Sequence, residues 1–314
     1  MHVLLTNDDG PPNDITSPYI RFLVDAVDEY TDWDLSICLP SVQKSWIGKA
    51  YFAGKNLTAS FIYPTNIKNS NSFNGPFALP DSSFRKTHKE WALIDSTPAA
   101  CADIGVNYLY KDKGPVDLVI SGPNYGRNTT ALYALTSGTI GAALEATLIG
   151  KKSIAVSFAF ESNDIDEHII KYASKISVKL IEHLYNSWPN DNSTELYSIN
   201  IPLIETLNKS EIVYAPILGN KWHSVFTAFD QEPRPGFKED AVMIKDDPID
   251  IIDGSIVNQL QFRWDPDYNE VHKTVSESNG INDGIVLAQG NIAVTPLRAN
   301  FAAPFSQGKI HLDI

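Results

Sequence analysis

The chain has 314 residues, 43% of them hydrophobic, and a formal net charge of −13. That length and composition predict a folded protein with a sizeable core, as one large α/β domain or two smaller ones. The negative charge argues against a nucleic-acid polymer or an anionic membrane as the main partner, but not against a small phosphate ester, because a bound cation reverses the local field.

Val3 to Thr6 reads as a buried strand and runs directly into Asn7-Asp8-Asp9-Gly10. Two adjacent carboxylates at the end of a buried strand are costly to hold together unless a cation or partner neutralises them. In an open α/β sheet, ligands bind at the carboxyl ends of strands. Hard oxygens there suit Mg²⁺ or Mn²⁺. Asp-Asp-Gly is also an ordinary turn sequence, so both readings stand at this point.

Ser17-Pro18 reads as a helix start, with Ser as cap and Pro at the first helical position. Apolar residues then recur at helical spacing to Tyr30, and Leu35 to Leu39 is a second strand closed by Pro40. This order opens a βαβ unit, hence a mainly parallel, doubly wound sheet. Thr65 to Lys89 is rich in Asn, Ser and Pro and reads as a long irregular excursion. Trp91 to Ile94 is a strand, Pro98 to Leu109 a helix, Val116 to Ser121 a buried strand, Ser137 to Ile149 a helix and Ile154 to Phe160 a strand. Ile165 to Tyr185 is an amphipathic helix with Tyr172 and Ile176 on its apolar face, and Leu196 to Ile201 a strand. From 211 to about 275 the pattern breaks into short apolar pieces, scattered aromatics and an acidic stretch near Lys238 to Asp250. That segment reads as an irregular or β-rich extension. Strand character returns at Gly284 to Ala288 and Asn291 to Pro296.

The chemistry-bearing residues cluster at strand ends. The second strand leads into Pro40 to Trp46, with Lys44 and Ser45. The third leads into Ser121-Gly122-Pro123-Asn124-Tyr125-Gly126-Arg127-Asn128. In a doubly wound sheet these turns share one edge with Asp8 and Asp9. Two carboxylates, a Ser hydroxyl and an Asn amide oxygen then suit a divalent ion that keeps positions open for water and substrate. The helix starting at Ser137-Gly138-Thr139 offers backbone N–H groups and a positive dipole end to an anion. Each residue also has a plain reading: loop hydroxyl for Ser45, turn residue for Asn124, helix cap for Ser137, solvated cation for Arg127.

Other chemistries fit poorly. There is no P-loop, no Gly-x-Gly-x-x-Gly after the first strand and no Gly-x-Ser-x-Gly elbow. The seven His residues form no zinc spacing, with His223 the one to watch. Cys38 and Cys101 sit in apolar surroundings and read as small buried hydrophobes. The four Asn-x-Ser/Thr sequons read as chance, since the chain enters a strand at once without a leader-like start. No run spans a membrane. A cytoplasmic protein is the expectation.

The blocks Leu5 to Gly10, Pro40 to Ser45, Thr97-Pro98-Ala99, Ser121 to Asn124 with Gly126 and Asn128, Ser137 to Glu145, Ile154 to Ser157, Asn200-Ile201-Pro202 and Ala293 to Leu297 together resemble the SurE family of metal-dependent nucleotidases and phosphatases. The Gln43-Lys44-Ser45-Trp46 variant resembles its fungal, acid-phosphatase-like branch. Bacterial members usually carry Asp-Arg where Ser41-Val42 stand, Gly where Trp46 stands and Gly where Ser96 stands. The resemblance implies a Rossmann-like domain over 1–314, with a core to about 210, an extension over 211–280, a return to the core over 281–300 and a tail. It implies that the extension exchanges between subunits in a homodimer or homotetramer. It also implies metal ligation by Asp8, Asp9, Ser45 and Asn124, with Asp8 or Asp9 catalytic. Asn128, Ser137, Gly138 and Thr139 would line the phosphate site. The expected activity is hydrolysis of nucleoside monophosphates or related small phosphate esters. The alternatives are an inactive nucleotide-binding or scaffolding member, or a metal enzyme of another class such as a glycosyltransferase.

Overall fold

The computed structural model describes residues 1–65, 72–161, 165–228 and 261–302. Strand β1 (His2–Thr6) is buried along its whole length. Helix α1 (Ile20–Tyr30) turns Ile20, Leu23, Val24 and Val27 inward at helical spacing and ends where the Thr31 hydroxyl donates to the Val27 carbonyl at 2.8 Å. β2 (Asp34–Pro40), β3 (Ala59–Pro64), β4 (Phe73–Phe77) and β5 (Trp91–Ile94) follow. α2 (Pro98–Ile104) is capped by Thr97, whose Oγ1 accepts from Ala100 N at 3.2 Å, with Pro98 at its first position. Then come β6 (Leu118–Tyr125), α3 (Thr130–Thr136), α4 (Gly138–Leu148), β7 (Lys152–Ala159), α5 (Glu167–Asn186) and β8 (Leu196–Pro202). The last described part holds β9 (Ile212–Tyr214), β10 (Phe226–Ala228), β11 (Phe262–Trp264), α6 (Tyr268–Glu277), α7 (Asp283–Ala288) and β12 (Ile292–Leu297).

Ten strands form one sheet in the order β4-β3-β5-β2-β1-β6-β7-β8-β12-β9, and β10 pairs with β11 in a separate antiparallel ribbon. From β5 to β8 every pairing is parallel. Antiparallel pairing enters at β3 and at β12. Alternate residues of β1 face opposite layers. Val3 and Leu5 pack with α1 and α5, and Leu4 packs with α2 and α4. The chain moves outward from β1 to β2 and β5, then returns to the other side of β1 as β6. The β1/β6 boundary is therefore the topological switch point, where open α/β sheets form ligand crevices.

Several expectations are corrected. Ser17 does not cap α1: the cap position is Tyr19, without a side-chain bond, and Ser17 is spent instead on the turn after β1. The Thr65 to Lys89 excursion is not wholly irregular, because β4 pairs antiparallel with β3 and the Tyr63 hydroxyl donates to Glu90 at 2.6 Å. Residues 66–71 lie outside the described residues. The Pro98 helix is α-helical only to Ile104 and widens into a π turn through Leu109. On α5, Tyr172 is exposed rather than on the apolar face. Gly284 to Ala288 is helical, not extended, because Asn282 Oδ1 accepts from Ile285 N at 2.9 Å and starts a turn there. Within 211–275, β9 joins the main sheet beside β12 and α6 is a helix. The acidic Lys238 to Asp250 stretch lies outside the described residues.

Candidate active site

The turn after β1 is held by its own Asn. Asn7 Nδ2 donates to the Gly10 carbonyl at 2.9 Å, and Gly10 N donates back to Asn7 Oδ1 at 3.0 Å. The Ser17 hydroxyl closes the same carbonyl at 3.1 Å. Gly10 has φ +85°, and a Cβ there would lie 3.0 Å from the Val42 backbone, so the turn needs glycine for two reasons. With the turn locked, Asp8 and Asp9 are 2% and 1% exposed.

Three neighbouring segments close on this pair. Lys44 N donates to the Asp8 carbonyl at 2.6 Å and ties the loop after β2 to the turn. Tyr125 N donates to Asp9 Oδ2 at 2.7 Å, tying on the end of β6. The Thr139 hydroxyl donates to Asp8 Oδ1 at 2.5 Å, tying on α4. β6 shifts register against β7 between Ser121 and Asn124, so the strand is locally irregular just before Asn124. Asn124 Nδ2 donates to the Gly126 carbonyl at 2.8 Å, which leaves Oδ1 beside Thr139 at 3.3 Å as an acceptor near Asp8.

Asp8, Ser45, Asn124, Asn128 and Ser137 line one cavity of about 30 Å³ together with Gln43, Trp46, Tyr125, Arg127, Tyr133 and Thr136. Asp9 stands beside it. Gly138 and Thr139 are placed differently from the expectation. They back the Asp8 carboxylate rather than line the cavity, and a Cβ on Gly138 would sit 2.7 Å from Asp8 Cβ. The start of α4 is therefore an anion site occupied first by the protein's own carboxylate. Ser137 Oγ caps the helix, accepting from Ile140 N at 3.0 Å, and also reaches the cavity wall. Lys44 points elsewhere, with its ammonium 5.7 Å from the Phe52 ring centre. His223 is exposed and lies 3.4 Å from Glu270, outside the cavity.

Burial raises the Asp8 carboxyl from 3.8 to about 6, against smaller lowering effects of the Thr139 hydroxyl and of backbone groups of Asp8, Thr139 and Gly138. A buried carboxylate in that state gains from an added positive charge. Among the described residues no group of three or more His, Cys, Asp or Glu could hold a metal ion. The donors here are instead two carboxylates with neutral hydroxyl and amide oxygens, a set that fits a hard divalent ion with open positions and does not fit a thiolate or imidazole site.

The Asp8 shift has a sign. Below about pH 4 the group is protonated in both the folded and unfolded chain, and it contributes nothing. Between about 4 and 6 the unfolded chain ionises first and binds fewer protons, so the metal-free protein loses stability as pH rises. The difference in Tm between wild type and Asp8→Asn therefore shifts against wild type across that window. Mn²⁺ raises the wild-type Tm more at pH 7 than at pH 5, because it favours the ionised form. An equal Mn²⁺ effect at both pH values contradicts the assignment.

Two residues not anticipated as site residues hold the turn between β6 and α3. Asn200, on β8, accepts from Asn128 N at 2.7 Å, while Asn128 Nδ2 donates to Ser157 Oγ at 2.9 Å. Asp283, at the start of α7, is buried. Its carboxylate accepts from Thr130 N at 2.8 Å, Leu218 N at 2.9 Å and Gly284 N at 2.8 Å. Burial raises its pKa, and these bonds oppose the rise. Thr130 has φ +66°, a left-handed conformation that the Asp283 bond helps to hold. Sequence offered Asn200 only within a block, and Asp283 only as a polar residue before an apolar run. We expect Asp283→Ala to destabilise the chain by about 3 kcal/mol, since three N–H groups lose a charged acceptor. Chemical denaturation reads this, and a loss under about 1 kcal/mol contradicts it.

The family model described as "Survival protein SurE" matches residues 3–224. The chain is 39% identical over 96% of its length to the yeast (Saccharomyces cerevisiae) protein named "Probable tubulin--tyrosine ligase PBY1", and spans 41% of that protein. It is 33% identical over 65% of its length to "5'-nucleotidase SurE" of Carboxydothermus hydrogenoformans, covering 67% of it. The SurE protein from Aquifex aeolicus superposes with a TM-score of 0.63 at 20% identity, over 96% of this chain and 95% of that one, and so shares the fold. With a family model spanning most of the chain and the same α/β architecture, this chain belongs to the SurE family.

Proposed function

We propose that this protein is a metal-dependent phosphomonoesterase acting on nucleoside monophosphates or related small phosphate esters. The observation that carries the reading is the convergence of Asp8, Ser45 and Asn124 on the cavity that Asn128 and Ser137 also line, with Asp9 beside it. Relatives named as 5'-nucleotidases support the same activity class.

Asp8, Asp9, Ser45 and Asn124 would hold Mg²⁺ or Mn²⁺. When bound, such an ion supplies Lewis-acid polarisation of the phosphoryl group and acidifies water. The chain's own residues do the rest. Thr139 and the start of α4 fix the Asp8 carboxylate, so one of its oxygens faces a constant direction. Asp8 or Asp9 orients the attacking water and accepts its proton. Asn128, Ser137 and Arg127 line the cavity in which the phosphate oxygens would sit, and they would stabilise charge that grows on them. A dimer or tetramer, with the extension exchanging between subunits, belongs to the same proposal, and sedimentation tests the oligomeric state.

The test of activity is phosphate release from a panel of nucleotides and simple esters with Mg²⁺ or Mn²⁺. Turnover that EDTA removes and metal restores is the expected result. Release that persists in EDTA, or no release from any ester, contradicts the proposal.

A further inference from the structure

Trp46 follows Ser45 directly and has φ +62°. A bulky side chain takes that left-handed conformation only where its surroundings over-determine it. Glycine would hold the same backbone without the steric cost. The backbone therefore gains nothing from tryptophan here, and the reason for the ring lies in what it touches. The loop is tied on either side of it. Lys44 N donates to the Asp8 carbonyl at 2.6 Å, and Gly48 N donates to the Thr136 carbonyl at 2.8 Å. These bonds hold the ends of the loop. The turn at Trp46 sets how the chain runs between them, and so which way Ser45 faces.

The ring is gripped from outside its own loop. Between centroids it lies 5.7 Å from Tyr133 of α3, 5.2 Å from Trp264 of β11, 6.4 Å from Tyr268 of α6 and 6.0 Å from Trp222. The Trp264 contact is edge-on, and Trp264 in turn meets Phe226, its register partner across the ribbon, at 5.5 Å. Tyr133 and Tyr268 stack with an interplanar angle of 9°. Edge-on and stacked rings at these separations attract beyond their burial. Trp46 and Tyr133 line the cavity beside Ser45, whereas Trp264 and Tyr268 lie outside its lining.

We propose that Trp46 is a positioning residue for the metal site: rings of the ribbon and of α6 hold it left-handed, and it in turn aims the Ser45 hydroxyl. Affinity for a divalent ion then depends on rings of the extension that never touch the ion. The inference rests on Ser45 as a metal ligand, as in the phosphomonoesterase reading. The test is Mn²⁺ binding, followed by the EPR signal of the free ion, a readout independent of turnover. Trp46→Gly relieves the backbone and removes the ring. It is expected to bind Mn²⁺ at least ~10-fold more weakly, the scale on which groups that orient metal ligands act. Trp46→Phe keeps a ring and the strained backbone, and is expected to bind at least ~3-fold more tightly than Trp46→Gly. A role in the backbone alone predicts the reverse order. Trp264→Ala leaves the loop sequence intact and is expected to weaken binding at least ~3-fold. Trp188→Ala is the control. Trp188 packs on Tyr197 at 4.8 Å near the start of β8, at the opposite end of the strands from Asp8, so its loss lowers Tm and leaves Mn²⁺ affinity unchanged. Wild-type affinity in folded Trp46→Gly, equal binding by the Gly and Phe variants, or an equal loss in Trp188→Ala overturns the inference. Where far-UV CD shows that Trp46→Gly fails to fold, Trp264→Ala decides, and unchanged affinity there overturns it. Wild-type protein that binds Mn²⁺ no more tightly than these variants removes this inference alone. Wild-type protein that binds no Mn²⁺ removes the metal-site reading and the inference with it.

Discussion

Asp9→Asn is expected to lower metal-dependent phosphate release by at least ~10³-fold, several kcal/mol at about 1.36 kcal/mol per tenfold, while the chain stays folded. Asn has the shape of Asp and an oxygen that still accepts from Tyr125 N, which now lies 2.7 Å from Asp9 Oδ2. The link between the β1 turn and the end of β6 therefore survives. What is lost is charge. A neutral amide in place of one of two carboxylates removes about half the formal negative charge that would attract the ion. Phosphate release from AMP across a Mn²⁺ series, with far-UV CD and Tm on the same preparation, checks the result. Near-normal turnover in a folded variant sinks the ligand assignment. Turnover lost together with the fold assigns Asp9 a structural role instead.

The second large effect concerns Gly141, on the face of α4 that meets the Ser45 loop. A Cβ there would stand 2.4 Å from the Gly48 carbonyl oxygen and 2.8 Å from Lys49 N. These are backbone atoms, so the loop itself has to move. Gly48 is held in place by its own N–H, which donates to the Thr136 carbonyl at 2.8 Å. Gly141→Ala therefore sets helix against loop. Overpacking of this kind destabilises by roughly 1–3 kcal/mol. Ser45 lies three residues before Gly48, and a displacement of about 1 Å at a reacting constellation lowers the rate by roughly 10²-fold. We expect both losses, with kcat affected more than the unfolding midpoint would suggest. Gly150, on the surface turn after α4, is the contrasting case. A Cβ there would meet nothing within 4 Å, so only its backbone conformation, at φ +81°, resists substitution. Wild-type kcat in Gly141→Ala would contradict the account of how the Ser45 loop is positioned.

The parallel half of the fold was legible in the sequence because local signals agreed with one another. Val3 to Thr6, Leu35 to Leu39 and Leu196 to Ile201 are apolar-rich runs with turn residues after them, and the structure makes each a buried strand. Ser137 before Gly138-Thr139 reads as a cap and is one. The edges were not legible. β4 holds Asn74, Gly75 and Pro76, so it exists through its pairing with β3 rather than through propensity. Gly284 to Ala288 is too short and too apolar for periodicity to decide, and Asn282 tips it into a helix.

For the site, spacing placed the strand ends on one edge but not the direction of each group. A helix N-terminus after Ser137 is an anion site in sequence. Only the approach allowed by Gly138 shows that the anion it meets is Asp8. Long-range partners were invisible for the same reason. Asp283 lies 153 residues from Thr130, and nothing local to either predicts the bond.

The most direct test of the central claim is a Mn²⁺-soaked crystal measured at the metal's absorption edge. The account predicts one anomalous peak in the cavity, ligated by oxygens of Asp8, Asp9, Ser45 and Asn124. A protein whose phosphate release requires Mn²⁺ but whose anomalous peak lies away from these four residues would contradict it.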